Sequence, residues 1–204
     1  MTRRPKTIAF WVGRLPHWEV VDGHYFITLH VAGAIPQAGR ERLRRMSTEL
    51  SQKVCRSSPQ WLRRQRDIFR EMESWLDRSQ WNPWLSNPRI TEIVVEALEH
   101  YHGARDWDVH RYVVMPTHLH LFCDIAAGKM KSLLNNFKRW TGRQAAKILR
   151  TKGQRFWQNE WLDHWSRSDA EDERIVRYIE NNPLKAGLVA DAKQWPHVGQ
   201  FVPN

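Results

Sequence analysis

The chain has 204 residues, 41% of them hydrophobic, which is long enough to bury a core of ordinary domain size. Its 32 Lys and Arg residues outnumber its 22 Asp and Glu residues, and the net charge of +10 favours a polyanionic partner. No window approaches the run of about 20 apolar residues that a membrane span needs. The basic start from Met1 to Lys6 leads into no apolar signal core, so we expect a cytoplasmic protein with no membrane partner.

Only two cysteines occur, Cys55 and Cys123, and they lie far apart in the sequence. They form neither a disulfide framework nor the paired spacing of a zinc site. We expect both to be reduced structural thiols.

The first half of the chain predicts one strand and three helices. "HYFITLHV", from His24 to Val31, alternates β-branched and aromatic residues and predicts a strand. Helical spacing from Gln37 to about Asp77 is broken at Ser57 to Pro59, which predicts two helices. "RITEIVVEALEHYHG" then predicts a third helix with Gly103 at its C-cap.

The second half predicts a hairpin, a basic helix, a short strand and a final helix. "WDVHRYVVM" and "HLHLFCDI" are joined at Pro116-Thr117, which is a hairpin signal. Lys129 to Arg150 is an amphipathic basic helix, and "RFWQNEWLDHW" contains a short strand. "SDAEDERIVRYIENN" is a helix capped by Ser168 or Asp169 and ended by Pro183. This order predicts one α/β domain over residues 1–204 on a largely antiparallel sheet, with a helical insertion at about 37–80.

Two histidines lie one residue apart in "VVMPTHLHLF". Because side chains alternate along a strand, His118 and His120 share one face with Phe122, while Leu119 and Leu121 point to the other. Their Cα atoms are then about 6.6–7 Å apart, from which both rings can reach one metal ion. A solvated strand face or a hydrogen-bonded pair would give the same pattern, and a metal site needs a third ligand.

Near the end of the chain, Tyr178 and Asn182 lie four residues apart on the final helix, so a phenol and a carboxamide leave it on one side. The alternative is a tyrosine that packs its ring and an asparagine that caps the helix end.

A basic stretch without any Asp or Glu runs from Ile125 to Asn159 and predicts a surface that faces phosphates. The candidate phosphate contacts are Lys138, Arg139, Arg143, Lys147 and Arg155. Tryptophans there could stack on unpaired bases at roughly 1–3 kcal/mol each. The stacking candidates are Trp140, Trp157, Trp161 and Trp165, whereas Trp75, Trp81, Trp84, Trp107 and Trp195 are expected in the core. For each cation the alternative is a solvated side chain.

The motifs "VVMPTHLHLF", "FWQNEWLDHW" and "RYIENNPLKAGLV" together resemble the REP-associated tyrosine transposases, a branch of the single-tyrosine transposases in the His-hydrophobic-His nuclease group. The similarity extends over nearly the whole chain, from "HYFITLHVAGAIP" to "DAKQWP". Thr117 and Trp161 differ from the residues expected at those positions.

This resemblance implies a ferredoxin-like antiparallel sheet whose central strands hold the histidine pair, with a C-terminal helix that brings a tyrosine to it. By position, His118 and His120 match the metal-binding pair, Tyr178 matches the nucleophile and Asn182 matches the third ligand. The implied substrate is single-stranded DNA folded into hairpins of repeated extragenic palindromes (REP). The implied cofactor is Mg²⁺ or Mn²⁺. The implied intermediate is a 5′-phosphotyrosine, and the implied location is the cytoplasm, in association with the nucleoid.

Several alternatives remain open at this stage. The same fold could bind hairpin DNA or structured RNA as a regulator without cleaving it. A zinc-stabilised structural protein is less favoured, because the sequence places no Cys or third His near the pair. The general base could be His24, His102, His110 or a metal-bound water. The protein could be a monomer or a homodimer, with the tyrosine working in its own subunit or in its partner's.

Overall fold

A central antiparallel sheet organises the chain. The computed structural model describes residues 3–13, 15–53, 59–79, 81–104, 107–151 and 153–202. The strands are β1 (Thr7–Val12), β2 (Pro16–Val20), β3 (His24–His30), β4 (Trp107–Val114), β5 (His118–Ile125), β6 (Leu162–Trp165) and β7 (Val198–Gly199). The helices are α1 (Gln37–Lys53), α2 (Pro59–Asp77), α3 (Pro88–Gly103), α4 (Met130–Leu149) and α5 (Asp169–Lys185).

The main sheet has five strands in the order β6-β3-β5-β4-β7, and each neighbouring pair is antiparallel. The predicted antiparallel sheet and the β4–β5 hairpin are therefore confirmed. Two strands ahead of β3, β1 and β2, were not predicted, and they form a separate two-stranded sheet. β5 is the middle strand of the main sheet, and every residue of β5 except the half-buried Asp124 is buried.

The two faces of β5 belong to different clusters. Leu119, Leu121 and Cys123 pack into the large apolar core with residues of α3 and α4. Phe122 packs on the other face with Ile175 and Ile179 of α5. The alternation predicted for this strand is confirmed, and it places both histidines on the α5 side.

Two helix ends differ from the prediction. α5 continues through Pro183 to Lys185, although a proline was expected to end it at Asn182. Asn182 and Pro183 are both buried, so tertiary packing offsets the hydrogen bond that the proline nitrogen cannot donate. α3 includes Gly103 and is capped by Ala104 in a right-handed conformation, so the predicted glycine cap is wrong.

Other local predictions hold. Ser168 is the N-cap of α5, and its side chain accepts a hydrogen bond from the backbone N–H of Glu171. Cys123 is a buried free thiol whose pKa is raised by burial, whereas Cys55 lies outside the described residues. Among the described residues, no helix has the length and apolar character needed to cross a membrane.

Candidate active site

The histidine pair lies on a covered face of the sheet. The rings of His118 and His120 have centroids 4.7 Å apart, and both side chains are almost completely buried. His120 pairs with Thr28 of β3 in the sheet register, and His118 pairs with His30. The solvated-face alternative is therefore excluded for both histidines.

Each ring is held by a threonine hydroxyl at the same nitrogen. His120 Nδ1 lies 2.9 Å from Thr28 Oγ1, and His118 Nδ1 lies 3.1 Å from Thr117 Oγ1. When Nδ1–H donates to the hydroxyl, the neutral imidazole has its lone pair on Nε2. Such partners fix the tautomer and the orientation of metal-binding histidines. Thr117, one of the two residues that differ from those expected, thus has a defined structural role.

Tyr178 reaches this pair from α5. Its ring centroid is 5.6 Å from that of His120 and 5.7 Å from that of Phe26, with edge-on geometry in both cases. Ile175 and Ile179 are buried against the sheet and set the rotation of the helix. The structure therefore brings the tyrosine and both histidines of one chain together.

Glu73 of α2 is a residue of this site that sequence reasoning missed. Its side chain is 2% exposed. Its Oε2 accepts a hydrogen bond from the Tyr178 hydroxyl, and the same oxygen lies 3.2 Å from His120 Nε2. α2 is tied to the end of α5 by a 2.7 Å ion pair between Asp77 and Lys185. In the sequence Glu73 is one of several charged residues on a helix, and its burial depends on how α2 docks.

Several buried polar atoms of this cluster have no hydrogen-bond partner within the described part of the chain. They are His118 Nε2, His120 Nε2, Glu73 Oε1, Asn182 Oδ1 and Asn182 Nδ2. Donor atoms of Glu73, His118 and His120 all lie within 4.8 Å of one another. Buried polar groups are rarely left unpaired, so this arrangement fits a bound cation.

Electrostatics support the same arrangement. Burial lowers the pKa of His118 to about 3, which keeps its imidazole neutral and able to act as a ligand. Burial alone would raise the pKa of Glu73, but the adjacent His120 imidazole outweighs burial and lowers the pKa to about 2. The phenol of Tyr178 has a strongly raised pKa, because of burial and the adjacent Glu73 carboxylate. Asn182 lies close enough to oppose part of that rise.

The predicted phosphate contacts lie on the other side of the sheet. α4 packs through Leu134 and Phe137 into the core that contains Leu119 and Leu121. A groove between α4 and the segment before β6 is lined by Lys138, Arg139, Arg143 and Arg155. Lys147 is exposed further along α4, where it donates a 2.9 Å hydrogen bond to Gln144.

Lys138 is less free than the other cations of this groove. Its ammonium donates a 2.5 Å hydrogen bond to the carbonyl of Asn159 and lies 5.2 Å from the Trp161 ring centroid. Burial lowers its pKa to about 8. Arg139, Arg143 and Arg155 are exposed; the side chains of Arg139 and Arg143 donate hydrogen bonds within α4, to Asn136 and to the carbonyl of Arg139.

Some tryptophans predicted to stack on bases are buried, and one predicted in the core is exposed. Trp140 is 43% exposed and borders a recess between α3 and α4 with Arg139 and Arg143, so it can stack on a base. Trp157 cannot, because it is buried and its indole N–H donates a 2.8 Å hydrogen bond to Thr141. Trp161 is buried as well, and Trp81, expected in the core, is 68% exposed.

The candidate general bases lie away from this site. His24 and His110 group with Asp124 at the far end of β5. His102 Nε2 lies 2.8 Å from the carbonyl of Val202. Glu73 is instead the titratable group that contacts the Tyr178 hydroxyl.

The family model described as "Transposase IS200 like" matches residues 78–182, just over half of the chain. The chain therefore belongs to the IS200-like transposase family. Glu73 precedes the matched region.

Among solved structures, the chain is similar to a REP-associated tyrosine transposase bound to a REP hairpin. The TM-score is 0.57, with 16% sequence identity over 92% of this chain and 82% of that one. A match at this identity shows a shared transposase fold. No curated protein matches the sequence.

Proposed function

We propose that the protein is a metal-dependent endonuclease and strand transferase that acts on single-stranded DNA hairpins of repeated extragenic palindromes through a 5′-phosphotyrosine on Tyr178. The observation that carries this proposal is the contact of the Tyr178 ring with His120 of the same chain, at a centroid distance of 5.6 Å. Family membership supports DNA transposition, and the hairpin target is inferred from the complex of the solved relative. The tyrosine is proposed to work in its own subunit, in a cytoplasmic, nucleoid-associated monomer or homodimer.

The cofactor is proposed to be Mg²⁺ or Mn²⁺. Nε2 of His118, Nε2 of His120, the Asn182 amide oxygen and the Glu73 carboxylate would hold it, because these buried groups include the atoms that lack other partners. When bound, such a cation supplies Lewis-acid stabilisation of the charge on a phosphate oxygen. Two nitrogen donors with two oxygen donors suit Mn²⁺, whereas Mg²⁺ prefers a set made of oxygens.

Glu73 is proposed to receive the phenolic proton. A phenol with a raised pKa is a poor nucleophile unless its proton has an acceptor, and Glu73 Oε2 already accepts a hydrogen bond from it. As that proton moves to Glu73, Tyr178 Oη bonds to phosphorus and the bond from phosphorus to the 3′ oxygen breaks. The 3′ oxygen takes a proton from solvent and leaves as a hydroxyl. One ester replaces another, so rejoining needs no external energy source.

A cleft between α2 and α5 offers the single strand a route to the tyrosine. It is lined by Gln65, Arg66 and Phe69 of α2, and by Arg174 and Tyr178 of α5. The arginines can contact phosphates, and the half-buried Phe69 ring can stack on a base. This cleft opens on the same side of the sheet as the histidine pair.

The α4 groove is proposed to hold the phosphate backbone of the hairpin through Arg139, Arg143, Arg155 and, in part, Lys138, with Trp140 stacking on an unpaired base. Because α4 and Tyr178 lie on opposite faces of the sheet, DNA bound in the groove must pass an edge of the sheet to reach the cleft. The hairpin and the cleaved strand would therefore contact different sides of the protein.

The test is incubation of an end-labelled REP hairpin with the protein and Mn²⁺, followed by denaturing electrophoresis. We expect a covalent adduct with the wild type and with Tyr101→Phe, a control on α3 remote from the site. The adduct should be absent with Tyr178→Phe and with EDTA. If the wild type binds the hairpin but yields no adduct with Mg²⁺ or Mn²⁺, the protein is the non-cleaving binder. Stoichiometric zinc that is tightly held by the wild type, lost in His118→Ala/His120→Ala and accompanied by no adduct would instead support the structural-zinc alternative.

A further inference from the structure

A second group of metal-ligating side chains lies at the other end of β5. His24 of β3, His110 of β4 and Asp124 of β5 each place one donor atom within 4.8 Å of the others. Asp124 is four residues beyond His120, so the two groups are about 13 Å apart along the strand and share one face. All three side chains are half-buried.

The donor atoms of this group lie close together but do not satisfy one another with aligned hydrogen bonds. His110 Nε2 and Asp124 Oδ1 are 3.0 Å apart, yet both atoms are shielded from solvent and neither has an aligned hydrogen-bond partner among the described residues. His24 Nδ1 is 3.8 Å from the same carboxylate oxygen. Donor atoms that lie near one another without hydrogen-bond alignment point toward a shared position, as ligands of one cation do.

The local charge is acidic although the chain as a whole is basic. Asp172, in the first turn of α5, has Oδ2 3.2 Å from His24 Nδ1, and Asp108 pairs with Asp124 across the β4–β5 ladder. Arg3 is the cation that contacts Asp172, at 2.8 Å. The Asp108 carboxylate lies 3.2 Å from His102. Asp124 and Asp172 are thus the carboxylates beside the two imidazoles, and their charge favours a bound cation.

We propose that His24, His110 and Asp124 form a second cation site that takes a transition metal of the Zn²⁺ or Mn²⁺ class. Two imidazoles and one carboxylate match the donor preference of these ions and disfavour Mg²⁺. The site joins three strands beneath the first turn of α5, six residues before Tyr178. A bound ion would therefore fix the start of the tyrosine helix on the sheet. The proposal does not depend on the DNA chemistry.

The test is calorimetric titration of metal-free protein with Zn²⁺ at pH 7. We expect two equivalents to bind the wild type, one at each site, and one equivalent to bind His110→Ala. His100→Ala removes an exposed histidine of α3 and serves as the control, with two equivalents expected. His118→Ala/His120→Ala should keep the second equivalent and lose the first.

Folding is checked in each variant by its thermal midpoint without metal, and Asp124→Asn provides a nearly isosteric second variant. It should lose the same equivalent as His110→Ala. Wild-type stoichiometry in both variants would overturn the proposal. Loss of all binding in a folded His118→Ala/His120→Ala variant would overturn it as well.

Discussion

The two faces of the central sheet bury their side chains in different ways. Under α3 and α4, β5 contributes Leu119, Leu121 and Cys123 to a continuous apolar core. On that side the buried polar His17 is paired, with Nδ1 on Asp163 and Nε2 3.2 Å from Glu160. Under α2 and α5 the same strand contributes His118 and His120, whose Nε2 atoms have no aligned hydrogen-bond partner in the part of the chain that the structure describes.

Burying an unpaired polar group costs about 1–3 kcal/mol, so a face that collects several of them is not arranged for stability alone. The α3–α4 core leaves indole N–H groups of Trp107, Trp161 and Trp165 without a partner among the described residues, whereas the α2–α5 face gathers imidazole, carboxylate and amide atoms without partners around the tyrosine. Such departures from polar pairing concentrate at functional sites. The difference between the faces is therefore the physical basis for placing chemistry on one of them.

Substitutions of His120 and Leu121, neighbours on opposite faces of β5, should give the largest difference between the two faces. His120→Ala should slow adduct formation about 1,000-fold, which corresponds to ~4 kcal/mol, because it removes a ligand of the proposed metal ion. Leu121→Ala should instead lower the free energy of unfolding by about 2–5 kcal/mol. Adduct formation per folded molecule should not change in Leu121→Ala. Equal losses of activity per folded molecule in both variants would remove the distinction between the faces.

Glu73→Gln sharpens the assignment of the polar face. The amide keeps the volume of the side chain but cannot accept the phenolic proton as a carboxylate can, so adduct formation should fall about 100-fold. Mn²⁺ affinity, measured separately by calorimetry, should fall as well. The control is Glu71→Gln, two residues earlier on α2, whose carboxylate bonds to Trp75. A variant at Glu73 with wild-type rate and wild-type metal affinity would exclude this residue from the site.

The pH dependence of stability should differ between His17, which is paired with two carboxylates, and His118, which is buried in the histidine pair. Burial would lower the pKa of His17, but its bonds to Asp163 and Glu160 outweigh burial and raise the pKa to about 9. The stabilisation is complete below the unfolded pKa near 6.5 and is lost as pH rises through about 9. The pKa of His118 is lowered, so in metal-free buffer stability falls as pH drops from about 6.5 toward 3.

Urea unfolding midpoints measured from pH 4 to 10 report both the loss of stability at alkaline pH and the loss at acid pH. The alkaline loss for His17 should be about 3 kcal/mol, and His17→Gln should abolish it without changing the loss at acid pH. An alkaline loss of wild-type size in His17→Gln would show that the pair is not its source.

The smallest expected effect concerns the α4 groove. Arg139→Gln/Arg143→Gln should weaken hairpin binding about 10-fold near 0.1 M salt and reduce the slope of log K against log salt by about 2. Arg44→Gln/Arg45→Gln on α1 removes the same charge elsewhere and is the control. Filter binding at four salt concentrations measures both quantities, and identical slopes in the two double variants would exclude the groove as a phosphate contact.

Much of this architecture could be predicted from local sequence patterns. The alternation in "HLHLFCDI" correctly assigned each side chain of β5 to a face, and helical periodicity located α3, α4 and α5 within a few residues. The meeting of Tyr178 with the histidines was expected from the family resemblance, since residues 58 positions apart give no local signal.

What could not be predicted depends on tertiary packing. Glu73 resembles any charged helical residue until α2 docks on the sheet and buries it. Trp157 is adjacent to basic residues in sequence, but a hydrogen bond to Thr141 fixes it in the core. The placement of α4 and Tyr178 on opposite faces follows from the order of the elements around the sheet, which periodicity does not report.

The most direct test of the central claim is to identify the residue that becomes joined to DNA. After reaction with a REP hairpin and Mn²⁺, digestion with trypsin and nuclease should yield the peptide YIENNPLK, Tyr178 to Lys185, with a nucleotide attached through phosphate to its tyrosine. Fragmentation by mass spectrometry locates the modified residue. A nucleotide on Tyr178 is the predicted result, and an adduct on any other residue would contradict the account.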